Sequence, residues 1–242
     1  MQHNHLNQNV RMYQQAGPLG RKEQIIEVLV FLLLIVPSMA LSFFAVKQGS
    51  IGFTLTAVAT ILRDAALVSL ILFFLWRNGE SIKAIGWQSK RWWLDILLGI
   101  LVFPVMFFGA VLLERLLISI GFTVPSTPTP SLQPKTDAVH LIVATVLVTV
   151  VAIAEETIFR GYLILRFRTL TGSVGWAVLL SVVVFSLGHG YEGTAGVVTV
   201  GAMGLVFALA YIWRKSLVMP MTMHFLQDLL SVVLLPLLLG NQ

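Results

Sequence analysis

Long apolar runs separated by short polar connections dominate the chain from residue 25 to residue 239. A helix needs about 20 apolar residues to cross the roughly 30 Å hydrocarbon core of a bilayer. Seven runs approach that length, near 25–46, 54–76, 94–118, 138–159, 174–189, 194–213 and 217–239. The pattern predicts an all-α fold, a polytopic transmembrane helix bundle of about seven spans. A continuation of the fourth helix to Arg168 is also compatible with it.

The composition agrees with this prediction. Hydrophobic residues make up 57% of the chain and charged residues 11%, and the mean hydropathy is +0.88. Soluble domains carry about 25% charged residues. The chain has no Cys, which excludes disulfides, thiolate nucleophiles and Cys metal sites. The net charge of +5 comes from basic residues dispersed in short loops, which favours membrane topology over nucleic-acid binding.

Alternate loops collect the basic residues. Most of the 16 Lys and Arg residues precede the first span or follow the second, fourth and sixth, whereas the opposite loops hold only Lys47 and Lys135. Because cytoplasmic loops are enriched in Lys and Arg, the N-terminus is predicted to be cytoplasmic. The predicted location is the cell membrane, multi-pass, and the short compact chain favours a bacterial cytoplasmic membrane.

The domain organisation is predicted to be simple, with a polar N-terminal tail at 1–24 and a single transmembrane domain at 25–242. Cleavage of a signal peptide near Ser38-Met39-Ala40 is an alternative. The apolar run continues past that point and the preceding tail is long, which favours a retained helix. The longest connection, from Phe122 to Asp137, contains four prolines. It is predicted to lie outside, either as a spacer or as a cover over a substrate site.

Three charges, Glu155, Glu156 and Arg160, interrupt the fourth apolar run. A charge at bilayer depth costs about 2.5 to 3.5 kcal/mol on insertion scales, so these groups require partners or a function. Glu156 and Arg160 are four residues apart on a helix, which predicts an ion pair. Glu155 lies about 100° around the helix axis and is freer. It is the candidate base that activates water.

Two later runs also contain ionisable groups. His189 ends the fifth run, while His224 and Asp228 share a face of the seventh helix. With Glu155 they would supply a base, a group that positions water, and donors for an oxyanion, as hydrolysis of an amide requires. From these residues alone, a structural polar network is the alternative.

The expected depths of His189 and His224 in the membrane argue against a shared site. If the fifth helix begins at Val174, His189 lies about 22 Å along it, whereas His224 lies only about 10 Å from Leu217. An upright bundle would place the two imidazoles at different levels. Tilted helices, a break near Gly188, or a fifth helix that starts deeper would reconcile them.

Other charges in the spans are predicted to have structural roles. Arg63 and Asp64 are adjacent and point in different directions, so each is expected to need its own partner. A carboxylate of the fourth or seventh helix is a candidate partner for Arg63. Glu27, Glu114 and Arg115 are nearer to helix ends, where long side chains can reach the interface.

Three motifs resemble, in order and spacing, those of the CAAX prenyl protease and bacteriocin-processing family (CPBP, also called Abi). They are Glu-Glu-x-x-x-Arg at 155–160, Phe-x-x-x-His at 185–189 and His-x-x-x-Asp at 224–228. The similarity covers roughly 138–239. The family comprises intramembrane proteases, so the resemblance implies an intramembrane endopeptidase that hydrolyses a peptide bond in a membrane-associated protein or peptide.

The resemblance also implies roles for single residues. Glu155 would activate water and His189 would help to hold it. His224 and residue 228 would stabilise the oxyanion, while Glu156 and Arg160 would shape the site. The family often has Asn at the last position.

In this chain that position is Asp228. An ionised carboxylate would repel an oxyanion, so Asp228 must either be protonated or orient His224 instead.

Cofactors and partners follow the same reasoning. Glu155, His189 and His224 match the ligands of a catalytic zinc site, but the resemblance favours glutamate-activated water without a cofactor. No His-Glu-x-x-His, Gly-x-Ser-Gly or Gly-x-Gly-Asp motif occurs, which argues against site-2 zinc, rhomboid and presenilin-like proteases.

The expected partners are a membrane-associated peptide or protein substrate, the lipid bilayer and, as a further candidate, a membrane protein; nucleic acid is not expected. The alternative function is a non-enzymatic carrier, or a peptidase-partner or immunity protein, that uses the buried carboxylates and histidines as a polar network.

Overall fold

The computed structural model describes residues 20–48, 52–125 and 133–239, and every regular element in these ranges is helical. The all-α prediction is therefore confirmed. Most of the predicted polar tail lies outside the described residues, and the first helix begins at Arg21. The helices are α1 (Arg21–Gln48), α2 (Phe53–Arg77), α3 (Trp92–Ser119), α4 (Ala138–Thr171), α5 (Val174–Leu187), α6 (Gly193–Arg214) and α7 (from Val218 to Leu239).

The described helices fit a multi-pass membrane protein. Six of them are long and apolar enough to cross a membrane, by length and composition. The fifth predicted span, 174–189, is instead the short apolar helix α5 of 14 residues. At 1.5 Å per residue α5 is about 21 Å long, less than the roughly 30 Å of a hydrocarbon core. The bundle thus has six long helices and one short one.

Helix α4 is the longest, with 34 residues, so the fourth helix does continue beyond Arg168. Its middle, Glu156–Leu163, is π-helical, and all eight residues of this segment are buried. Segments of π-helix inside α-helices are rare and frequently occur at functional sites. Because no face of this segment is open to lipid, α4 runs through the centre of the bundle.

The helix ends that are predicted to face the cytoplasm lie at two levels. Leu217, just before α7, packs beside Gly161 of α4, and its backbone N–H donates to the carbonyl of Gly86 at 3.0 Å. Helix α4 continues about 15 Å beyond this level before it ends at Thr171. The hairpin between α4 and α5 therefore projects past the turn that precedes α7.

This offset removes the predicted difference in depth. Measured from the level of Gly161 and Leu217, Glu155 lies about 9 Å and His224 about 10 Å into the bundle. Helix α5 starts about 15 Å on the other side of that level, so His189 reaches about 8 Å into the bundle. By this helix-rise arithmetic all three groups lie at similar depth, because α5 starts beyond the level at which α7 begins.

A polar cluster joins α1, α2 and α4 near the helix ends that are predicted to face the cytoplasm. Glu27 is only 2% exposed, so close to its helix end it packs inside the bundle. Its Oε1 accepts hydrogen bonds from Arg77 at 2.6 Å and Asn78 at 2.7 Å. Its Oε2 lies 3.1 Å from the guanidinium of Arg166. The remaining members are Tyr162, whose hydroxyl lies 3.4 Å from Glu27, and Glu80, which binds Arg166 through both carboxylate oxygens at 2.8 and 2.5 Å.

These six residues are called the inner polar cluster below. Its two carboxylates face two guanidinium groups, so the charges are balanced; Glu27 and Arg166 are buried, whereas Arg77 and Glu80 are partly exposed. Both oxygens of each carboxylate have partners, which offsets the cost of burying charge.

Candidate active site

The π-helical segment of α4 holds a buried ion pair. Arg160 donates to Glu156 Oε1 at 2.9 Å, which confirms the pairing predicted from their spacing. Its second terminal nitrogen donates to the carbonyl of Gly204 at 3.1 Å. The guanidinium also stacks over the rings of Phe185, at 4.1 Å, and Phe207, at 5.2 Å. Arg160 is therefore held by α4, α5 and α6 together.

Gly204 had no predicted role, but its small size is required. A Cβ atom there would lie 2.8 Å from Phe185 Cδ1 and 3.0 Å from a terminal nitrogen of Arg160. Only a residue without a side chain lets the backbone of α6 come this close to the guanidinium.

The imidazole of His224 is bound to the same carboxylate. Its Nδ1 lies 2.8 Å from Glu156 Oε1, and its ring stacks on Phe207 with centroids 5.4 Å apart. A carboxylate accepts, so Nδ1 carries the proton. Nε2 then faces two further carboxylates, Asp228 at 3.4 Å and Glu155 at 3.9 Å. One histidine thus touches the three acidic groups of the motifs.

His189 follows the end of α5. Its Nδ1 lies 3.1 Å from the carbonyl oxygen of Phe185. Because a carbonyl only accepts hydrogen bonds, Nδ1 carries the proton and Nε2 of the neutral ring has a free lone pair. Gly188, just before it, packs against α1, where an added Cβ would meet Met39 Cε at 2.6 Å. The close approach of α1 fixes the turn that carries His189.

A cavity of about 1070 Å³ connects these groups. Glu155, His189, His224 and Asp228 all line it. Oε2 of Glu155 is buried and has no hydrogen-bond partner among the described residues. An unsatisfied carboxylate oxygen beside a cavity is a site for water or a ligand. These four residues, with Glu156 and Arg160, are called the motif cluster below.

The rest of the cavity extends away from the inner ends of the helices. Apolar residues of α1 and α2 form much of its wall, including Leu34, Met39 and Leu67. It continues to Phe53 at the start of α2 and to Gln133 in the loop before α4. Part of the predicted loop from Phe122 to Asp137 therefore borders the cavity, while its middle lies outside the described residues.

Arg63 and Asp64 also line the cavity and pair with each other. The guanidinium lies 2.9 Å from Asp64 Oδ1, so the prediction of separate partners is wrong. The arginine side chain is long enough to fold back to its neighbour in the chain. Asp64 is almost completely buried and interacts electrostatically with Glu155 and His224. The sequence motifs gave no signal for it.

A metal ion would need several ligands that face one point. In the part of the chain that the structure describes, no group of three or more His, Asp or Glu side chains is arranged to hold a metal ion. The Nδ1 atoms of His189 and His224 are both engaged by oxygen acceptors. Hydrolysis without a cofactor stays a prediction.

Residues 137–230 match the family model described as type II CAAX prenyl endopeptidase Rce1-like. Neither the curated proteins nor the solved structures gave a match to the chain. The matched range contains all six residues of the motif cluster, and it confirms the resemblance to the CAAX protease family. The description of that family names an endopeptidase, so the match suggests a protease. Residues 137–230 are therefore similar to the type II CAAX prenyl endopeptidase Rce1-like family.

Proposed function

We propose that the protein is an intramembrane endopeptidase that hydrolyses a peptide bond of a membrane-associated protein or peptide. The observation that carries the proposal is the convergence of Glu155, His189, His224 and Asp228 on one cavity inside the bundle. The match to the Rce1-like family gives the reaction class.

Glu155 is proposed as the base. Its free Oε2 takes a proton from a water molecule, whose oxygen then attacks the carbonyl carbon of the scissile bond. The C–N bond of the tetrahedral intermediate breaks next. The protonated Glu155 returns the proton to the departing amine, so the side chain ends the cycle as it began.

His189 is proposed to position the water. The hydrogen bond from Nδ1 to the Phe185 carbonyl fixes both the ring and its tautomer. Nε2 can therefore accept a hydrogen bond from the water that Glu155 deprotonates. Both O–H groups of the water then donate, so the lone pairs of its oxygen are free to attack.

His224 is proposed to stabilise the oxyanion. Its Nδ1–H is held by Glu156, which Arg160 holds in turn. A protonated Nε2 can donate to the negative oxygen of the intermediate. Asp228, 3.4 Å from Nε2, is proposed to orient this imidazole. Asp228 itself does not contact the oxyanion in this mechanism, because like charges repel.

The cavity also indicates the side from which a substrate enters. It extends from the motif cluster toward the start of α2 and the loop before α4. The distribution of Lys and Arg predicts that these segments face away from the cytoplasm. We therefore propose entry from the outer face of the membrane, which in a bacterium is the outer side of the cytoplasmic membrane.

Cleavage is tested by reconstituting the protein in liposomes with membrane-associated peptides and identifying fragments by mass spectrometry. Wild-type protein is expected to release fragments, and the Glu155→Gln variant is expected to release none. A non-enzymatic carrier or peptidase partner would give no fragments in either case. Full activity after treatment with a chelator is expected, and loss that added zinc restores would overturn the metal-free mechanism.

The side of entry is tested by labelling, because the natural chain contains no Cys. Single variants Thr56→Cys in the cavity, Lys135→Cys outside and Lys90→Cys inside are treated with a membrane-impermeant maleimide. Thr56→Cys is expected to react from the same side as Lys135→Cys. Reaction from the side of Lys90→Cys would reverse the proposed entry.

A further inference from the structure

The charged groups that line the cavity are mostly acidic. In the described part of the chain they comprise five carboxylates and the guanidinium of Arg63, together with the imidazole of His224, which is doubly protonated in the proposed mechanism. The guanidinium is already paired with one of the five, Asp64, at 2.9 Å. The carboxylates, called the acidic lining below, are Asp64, Glu114, Glu155, Glu192 and Asp228.

Two of these groups retain binding capacity for a cation. The side chain of Asp64 is only 2% exposed, yet its Oδ2 has no hydrogen-bond partner among the described residues. Oε2 of Glu155 is unsatisfied in the same way. A buried carboxylate oxygen without a donor is costly, and a ligand that brings N–H groups would remove this cost.

Glu114 and Glu192 have no part in the proposed chemistry. Glu192 ends the short turn after His189 and lines the cavity together with Glu114. Carboxyl groups therefore continue from the catalytic groups along the cavity. Electrostatic interactions are strong here because the walls are apolar and have a low dielectric constant.

We propose that the acidic lining selects a peptide that carries Lys or Arg near the scissile bond and disfavours one that carries a carboxylate there. This inference rests on the proposed function, because it assigns the substrate class of the same site. Glu114 and Glu192 are the specificity-determining residues. They act by attraction of a cationic side chain and by repulsion of an acidic one.

Binding is measured so that it does not depend on cleavage. The full-length Glu155→Gln variant in lipid nanodiscs is titrated with fluorescent apolar peptides, blocked at both ends, that differ only in one central residue, Lys, Gln or Glu. The Lys peptide is expected to bind about tenfold more tightly than the Glu peptide. Adding Glu114→Gln and Glu192→Gln is expected to reduce this ratio to about twofold.

Asp137→Asn is the matched control, because Asp137 is exposed and does not line the cavity. It is expected to leave the ratio unchanged. The proposal is overturned by equal binding of the two peptides, by preference for Glu, or by a ratio that survives both substitutions. If the combined variant unfolds, Glu114→Gln alone is expected to lower the ratio about threefold, and an unchanged ratio there would also overturn it. Failure of the wild type to cleave any peptide would reject only the proposed function.

Discussion

In the inner polar cluster, Glu27 and Glu80 meet Arg77 and Arg166, and both oxygens of each carboxylate have partners. The motif cluster is built differently. It contains three carboxylates but only one arginine, and Oε2 of Glu155 lacks a hydrogen-bond partner within the described ranges. Both clusters place charges inside the bundle at a desolvation cost. The balanced one serves to hold helices together, whereas the acid-rich one keeps binding capacity for water and substrate.

Removal of the free carboxylate should give the largest effect. Glu155→Gln keeps the shape of the side chain but removes the base, so cleavage is expected to fall by about 10³-fold. The free energy of unfolding should change little, because Glu155 forms no hydrogen bond within the described residues. Cleavage rate and SDS-induced unfolding in mixed micelles are the measurements. A Glu155→Gln variant that unfolds easily but still cleaves would show that Glu155 has a structural role instead.

Removal of a cation from the inner polar cluster should lower the stability and leave the cleavage rate unchanged. Arg166→Ala leaves the carboxylates of Glu27 and Glu80 without their shared partner, which is expected to cost about 3 to 5 kcal/mol of unfolding free energy. The cleavage rate per folded molecule should be preserved. Arg168→Ala, at an exposed position of the same helix, is the control and should cost under about 0.5 kcal/mol. A loss of rate without loss of stability would contradict the comparison.

Gly204→Ala tests whether the close packing of α6 against Arg160 affects both stability and cleavage. The added methyl group meets Phe185 and Arg160, so about 1 to 3 kcal/mol of stability should be lost. Because Arg160 holds Glu156, and Glu156 holds His224, the cleavage rate should fall as well. Gly109→Ala in α3 is the control, since a Cβ there has no atom within 4 Å. Equal stability and equal cleavage rate of the two variants would show that Gly204 has no special role in holding Arg160.

Substitutions of Asp228 test whether this side chain orients His224 or contacts the oxyanion directly. Asp228→Asn keeps an oxygen that accepts from His224 but removes the charge, and about tenfold lower activity is expected, equivalent to about 1.4 kcal/mol of barrier. Asp228→Ala removes the acceptor too and should lower the rate further. Single-turnover cleavage rates report the difference. If the Asn variant is faster than wild type, the carboxylate opposes the oxyanion and the orienting role fails.

The smallest effect is expected at the start of α4, outside both clusters. The side-chain hydrogen bond from His140 lowers the pKa of Asp137 below its ordinary value of 3.8. A lowered pKa in the folded state contributes stability above the ordinary value, and this contribution is lost as the pH falls through the folded-state pKa. Asp137→Asn should therefore be slightly less stable than wild type at pH 7 and equal to it at strongly acidic pH. Unfolding at both pH values tests this, and a constant difference would contradict it.

The sequence predicted the features that depend on helical spacing. The pairing of Glu156 with Arg160 follows from their separation of four residues, and the common face of His224 and Asp228 follows in the same way. The apolar runs predicted the long helices for the same reason, since length and hydropathy suffice to identify a span.

Other features depend on contacts between helices, which no local pattern reports. The π-helical segment and the approach of Gly204 to Arg160 require the packed neighbours of α4. The pairing of Arg63 with Asp64 depends on how a long side chain folds within its surroundings. The sequence does place Glu192 close to the site, because it follows His189 by three residues and lies between Gly190 and Gly193.

The short length of α5 has a consequence for the surrounding lipid. Several of its large side chains are exposed, among them Trp176, Leu179 and Leu187. Acyl chains beside α5 meet about 21 Å of apolar surface, so the two leaflets must draw together there or the helix end must sink below the headgroups. Either arrangement brings headgroup water down beside His189. We therefore expect longer acyl chains, which increase this mismatch, to slow the proposed cleavage.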